Sequence, residues 1–149
     1  MKKNYFVILL LILLAGCIGK QSESNTSENR EQVKYQEADN YFVSNDSKIP
    51  KSVKFTTQEE FSKVFGCAAV MEKDGLPTEI DFRHQFVLAK VLSVTDIQTE
   101  IRSLSLESKG DTLFWHYTVE KGDKQSYEIQ PCLIIVVDRK YMNEEIVEN

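Results

Sequence analysis

The sequence predicts an α+β domain, a mainly antiparallel sheet of about five to seven strands with one short helix packed on it. Three observations carry that expectation. Residues 86–94 (FVLAKVLSV) and 132–137 (CLIIVV) are nearly continuous apolar runs of strand length, the pattern of strands covered on both faces. Residues 101–106 and 113–119 alternate instead: Leu113, Trp115, Tyr117 and Val119 fall on one face, Phe114, His116 and Thr118 on the other. Helical signals concentrate in one stretch, where Thr57 and Glu60 fit a capping box, Phe61, Val64 and Phe65 share a face, and Gly66 stands where a C-terminal glycine belongs.

The remaining elements follow in chain order. Tyr41, Phe42 and Val43 form a short apolar trio between Asn40 and Asn45, read as a short strand or a segment docked on the domain edge, and residues 53–55 make a second short segment before the helix. Lys73, Asp74 and Gly75 signal a turn, and Pro77 an irregular link. A Lys-Gly-Asp triplet occurs twice, at 109–111 and 121–123, and both copies predict hairpin turns. Residues 125–130 are expected to return as a strand that Pro131 ends, since proline has no N–H for a ladder.

Ahead of this domain, Lys2 and Lys3 lead into the apolar residues 5–14 and the small residues Ala15 and Gly16, the order of a secretory signal peptide. The run is too short for a good permanent span, which needs roughly 20 apolar residues. Leu14-Ala15-Gly16-Cys17 resembles the bacterial lipobox, in which the cysteine is acylated and the bond before it is cut. The resemblance implies a leader over 1–16 and a bacterial envelope protein held on a membrane, expected to be the outer one, by acyl chains at Cys17; two or more chains make such attachment stable. Residues 19–30 are almost all polar and cannot bury enough apolar area to offset the entropy of ordering. A flexible tether is therefore expected over 17–36, a single domain over 37–142, and a frayed acidic tail over 143–149.

Without residues 1–16 the chain keeps 133 residues, with 16 basic against 23 acidic side chains and a net charge of −7. That length suits one core, and that charge disfavours nucleic acid and anionic head groups. The lipid, rather than the surface, would supply membrane contact. Cys67 and Cys132 leave two readings open. An extracytoplasmic address permits a disulfide closing a loop of 65 residues, worth roughly 4 kcal/mol in the chain-entropy model. Cysteine is also a common buried apolar residue, and Cys132 adjoins the most apolar run.

Catalytic patterns are sparse. His84 lies near Glu79 and Asp81 without the spacing of a metal motif, and His116 sits mid-strand beside Trp115. Neither remaining cysteine has a nucleophile context, and the chain has neither a GxSxG elbow nor a glycine-rich phosphate loop. Neither cofactor nor metal is implied.

Ile80, Asp81 and Phe82 leading into 86–92, then 109–113 (KGDTL), then Gln130 and Pro131 leading into 133–137, resemble the C-terminal domain of PrcB-type lipoproteins. With Asn40 to Val43, Phe65, Gly66, Pro77 and Thr78, the chain also resembles small uncharacterised lipoproteins of Bacteroidetes. The PrcB-type resemblance implies a non-enzymatic protein that stabilises a partner protease. The loop that this pattern carries after its first long strand contains glycines, whereas Val94, Thr95, Asp96, Ile97 and Gln98 include none. The function expected is thus a lipid-anchored binding module for another envelope protein, with Val94 to Gln98 and Lys121, Gly122, Asp123 and Lys124 as contact loops. A small-ligand-binding lipoprotein is the alternative, and an enzyme a more distant one.

Overall fold

The computed structural model describes residues 30–45, 54–68 and 75–149; the leader, Cys17, most of the tether and the turn at Lys73 and Asp74 lie outside them. In chain order the elements are β1 (Glu31–Gln32), β2 (Tyr35–Glu37), β3 (Tyr41–Val43), β4 (Lys54–Phe55), α1 (Gln58–Ser62), β5 (Phe65–Cys67), β6 (Gln85–Val91), β7 (Thr95–Lys109), β8 (Thr112–Ile129), β9 (Cys132–Asp138), a 3-10 turn (Arg139–Tyr141) and β10 (Glu145–Glu148). The strands form sheets of four, four and two, in the orders β1-β7-β8-β10, β2-β9-β6-β4 and β3-β5. With one helix of five residues among those described, the fold is mainly β rather than the α+β arrangement expected. Pairing is antiparallel throughout except for β10, which runs parallel to β8.

The two apolar runs explain the architecture. β6 and β9 pair from Gln85 with Asp138 to Val91 with Cys132. The same two chain directions continue, after 92–94 and 130–131, into β7 and β8, paired from Thr95 with Ile129 to Lys109 with Thr112. Residues 85–138 are therefore one long hairpin ribbon folded over on itself. Its tip is the two-residue turn Gly110-Asp111, where Gly110 takes φ +63° as the first central residue of a type II′ turn requires.

Folding the ribbon over buries side chains between its halves. Phe86, Leu88, Leu133, Ile135 and Val137 on one half meet Ile101, Leu106, Leu113 and Trp115 on the other, with Val33 and Tyr141 closing the cluster. The alternate residues of the inner pair, Val87, Ala89, Ile134 and Val136, point the other way, into a second core with Val43, Phe55, Phe61 and Phe65. Each large apolar side chain taken out of water contributes roughly 1.5–3 kcal/mol. The phenylalanines stack at 4.9 Å (Phe61 on Phe65) and meet edge-on at 5.6 Å (Phe55 on Phe65).

Trp115 is fully buried, and its indole N–H needs a partner there. A bulge supplies one. Between Ser103 and Ser105 the register against β8 slips by one residue, which turns Leu104 out to 63% exposure and leaves the Ser103 hydroxyl 3.0 Å from Trp115 Nε1. The slip also changes which residues of β7 face inward, from Ile101 and Ser103 to Leu106 and Ser108.

Several local expectations change. The helix starts as predicted, with the Thr57 hydroxyl accepting from Glu60 N–H at 3.2 Å, but the Glu60 carboxylate turns back to Thr56 N–H at 3.1 Å. Gly66 is not the helix cap; it lies in β5 opposite Phe42, whose ring covers it so closely that a Cβ there would stand 2.6 Å from the ring tip. The domain begins before residue 37. β1 pairs with β7, β2 with β9, and Val33 is buried between them, so residues 30–36 cross from one sheet to the other instead of forming tether. Lys121 to Asp123 make no hairpin turn, because β8 runs through them.

The acidic tail is not frayed. Glu145–Glu148 pairs with 112–115 of β8, Asn149 N–H donates to Trp115 C=O at 3.0 Å, and the Glu144 carboxylate accepts from Ser108 Oγ at 2.8 Å. Ending the chain after Glu144 should therefore lower stability by at least about 1 kcal/mol, a drop in Tm of about 4 °C or more for a domain of this size. Thermal unfolding followed by tryptophan fluorescence measures it, and an unchanged midpoint would return the tail to the frayed state.

Candidate functional site

The two segments expected as contact loops come together at the corner where the ribbon folds over. Val94 is in the link after β6; Thr95, Asp96, Ile97 and Gln98 open β7; Lys121, Gly122, Asp123 and Lys124 lie within β8. All but Val94 lie in strands rather than loops. Ile97 pairs with Lys124 and Thr99 with Lys121, while Thr95 pairs with Ile129. Two steps along β7, from 95 to 97, thus oppose five along β8, from 129 to 124, and a second slip follows before Thr99. The surplus sits on β8, the longer path around the bend.

Gly122 belongs to this irregular stretch. The Gln98 side chain lies over it, its Oε1 2.9 Å from where a Cβ at 122 would stand, so a larger residue there would displace this exposed side chain. Lys124 Nζ and Asp96 Oδ2 form an exposed ion pair at 3.0 Å. Leu92, Val94, Thr95, Thr99 and Lys121 line a cleft of about 320 Å³ in the corner.

Two features set the corner apart. The outer edge of β7 is paired only near its far end, at Glu107 and Ser108 with a further bond from Val33 N–H to Leu106 C=O. That of β8 is covered only at 112–115, with Tyr117 N–H donating to Asn149 C=O just beyond. Among the described residues no third strand covers 95–105 or 118–129. Four of the six large apolar side chains exposed among the described residues also lie on this ribbon: Val94, Leu104, Val119 and Tyr127. Open strand edges beside exposed apolar groups are the usual ground for strand addition.

The other candidates are placed differently. His84 is on the surface, Nδ1 2.8 Å from Asp81 Oδ2. Asp81 also accepts from Arg83 Nε at 3.1 Å and Nη2 at 3.2 Å. Hydrogen bonds from Arg83 first and His84 second hold its carboxyl well below the usual carboxylate range. Its negative charge, and the pairing it supports, are present above the ordinary carboxylate pKa and persist to unusually low pH. His116 lies opposite Ser105, at the other end of the ribbon from the corner. Among the described residues no three His, Cys, Asp or Glu side chains are grouped to hold a metal ion, and no helix is long and apolar enough to cross a membrane.

No family model matches the chain, and no curated protein or solved structure matches it either. The PrcB-type resemblance accordingly rests on the residues quoted above.

Cys67 and Cys132 are both free thiols, Cys67 exposed at the end of β5 and Cys132 half-buried beside the second core. Burial pushes the Cys132 thiol above its ordinary pKa, which lowers its thiolate fraction at neutral pH. Brief alkylation of the native chain should label Cys67 at least about tenfold faster than Cys132, because reactivity follows thiolate and access. Peptide mass spectrometry reads this directly, and finding both protected until a reductant is added would reinstate the disulfide.

Proposed function

We propose that this chain is a lipid-anchored bacterial envelope protein without catalytic activity, whose domain holds or stabilises another envelope protein. The observation that carries the reading is the ribbon corner: unpaired strand edges over 95–105 and 118–129 beside exposed Val94, Val119 and Tyr127. An extended segment of the partner would add to one of these edges, backbone bonds supplying affinity and the apolar side chains supplying selectivity. The PrcB-type resemblance favours a protease as that partner. The lipobox at Cys17 favours a membrane address, expected to be the outer membrane, with the acyl chains making the membrane contact. A net charge of −7 after removal of the leader argues against nucleic acid as the partner.

A photo-crosslinking side chain at Tyr127 or Val94 in the intact cell should form an adduct with one discrete envelope protein, whereas the same group at Glu59 on α1 should not. Val119→Lys and Tyr127→Lys together should reduce that adduct by about tenfold or more, as loss of central apolar contacts does, with the thermal midpoint nearly unchanged because both sites are exposed. Equal crosslinking from Glu59, or an adduct indifferent to the two lysines, would remove the corner as the docking surface. In the same cells Cys17→Ser should release the protein from the membrane; a variant that stays bound would contradict the anchor.

A further inference from the structure

A second site lies at the opposite end of the β6–β9 pair. Thr57, Ile80, Asp81, Phe82, Arg83 and Arg139 line an open cleft of about 570 Å³, within the range of small-ligand sites. It adjoins the Gln85 and Asp138 end of the ladder, whereas the ribbon corner begins past Val91 and Cys132. Six residue steps of strand separate the ends, roughly 20 Å at 3.3 Å per residue. The cleft is therefore independent of the docking surface.

Arg139 is the unusual group there. One guanidinium nitrogen, Nη1, donates to three backbone carbonyls: Phe82, Thr56 at 3.3 Å and Gln85 at 3.4 Å. These bonds fix the half-buried guanidinium at the cleft wall. Nε and Nη2 make no bond among the described residues, and Arg139 takes part in no ion pair among them. The carboxylate beside it is committed, since Asp81 is bound by Arg83 and His84. Arg139, a lining residue of the cleft, thus keeps three N–H donors and a positive charge that no carboxylate among the described residues pairs with. A partly desolvated cation held only by neutral carbonyls lacks a counter-charge, and a bound anion would supply one.

We propose that this cleft binds a carboxylate carried on an apolar body. The free edge of Arg139, Nε with Nη2, has the fork geometry that takes both oxygens of one carboxylate. Arg83 engages Asp81 through Nε and Nη2, leaving Nη1 to reach the same ligand. Arg83, Arg139 and Asp81, the charged lining residues, together carry a formal charge of +1, while Glu59 in the first turn of α1 is paired with Lys63 and Glu60 accepts from Thr56. That balance suits a singly charged carboxylate better than a doubly charged phosphate. Ile80 and Phe82, which pack on the second core, give the ligand's apolar part a wall. A small organic acid and the chain-terminal carboxylate of a peptide share this chemistry.

The test uses the full chain, nitrogen-15 labelled and purified in detergent, titrated with four probes: 3-phenylpropionate, its primary amide, and a blocked dipeptide ending in phenylalanine as free acid and as amide. The readouts are the Arg139 side-chain Nε–H and the Phe82 backbone amide. Saturable shifts with an acid and none with its amide are expected. Saturation by phenylpropionate alone identifies a small acid as the ligand, saturation by the dipeptide acid alone identifies a peptide terminus, and saturation by both admits either; all three support a carboxylate site. Equal response to acid and amide, or no saturation by either acid up to about 20 mM, a free energy too weak for a built site, overturns it. Because Arg139 also holds three carbonyls, substituting it changes folding and binding together. The exposed Arg83→Gln separates them: it should weaken the acid by about threefold, the size of a partly exposed charge contact, and unchanged affinity in a folded Arg83→Gln overturns the proposal.

Discussion

The structure depends on the burial of both faces of the β6–β9 pair. Residues 86–89 and 133–137 are all buried, and in a strand successive side chains point to opposite faces. Each face must then be covered by something else. On one side the chain covers it with its own continuation, by folding the ribbon over so that β7 and β8 lie across Phe86, Leu88, Leu133, Ile135 and Val137. On the other it uses α1, the β3–β5 pair and the segment through Phe82. Sliding either central strand by one residue would exchange the two cores, whose shapes differ, so the register is fixed from both sides.

The irregularities of the ribbon follow from that requirement. A two-stranded ribbon that doubles back needs more residues on its longer path, and the extra ones appear in β8 opposite 95–99. The bulge at Ser103 is a separate adjustment, answering the indole N–H of Trp115. Where the ribbon covers core its outer edges are capped by β1 and β10; past Leu106 and Tyr117 they are open. The open edges are in this sense a by-product of the bend. The N-terminal segment ties the halves together, since Val33 N–H bonds to Leu106 C=O in one sheet and Ala38 N–H to Ile134 C=O in the other.

Those features that arise from composition over several residues were legible in the sequence. The doubly buried strands, the inward face of Leu113 and Trp115, the Thr57 cap and the turn at Gly110 all follow from local pattern. What failed depended on partners distant along the chain. Glu145 to Glu148 read as a charged tail because only Ile146 and Val147 interrupt the polar run, yet an empty edge of β8 waits 33 residues earlier. Arg30 to Gln36 read as tether for the same reason, their polar side chains being satisfied at Glu107 and their single buried anchor being Val33. The second Lys-Gly-Asp carries the turn signal of the first, but the bend absorbs it as bulge. Of the candidate site, the sequence pointed to both segments, Val94 to Gln98 and Lys121 to Lys124, but gave no sign that they pair across the ribbon. Arg139 gave no signal, because the carbonyls it holds belong to residues more than fifty positions away.

A doubly buried strand pair thus anchors a ribbon whose corner edges no third strand covers among the described residues. Native-state amide hydrogen exchange on the full chain tests it most directly, since exchange slows with burial and with pairing on both edges. The slowest amides are expected in β6 and β9, intermediate rates at 106–108 and 112–115 where β1 and β10 cap the ribbon, and the fastest strand amides at 95–100 and 119–129. A corner as protected as β6 and β9 would contradict it.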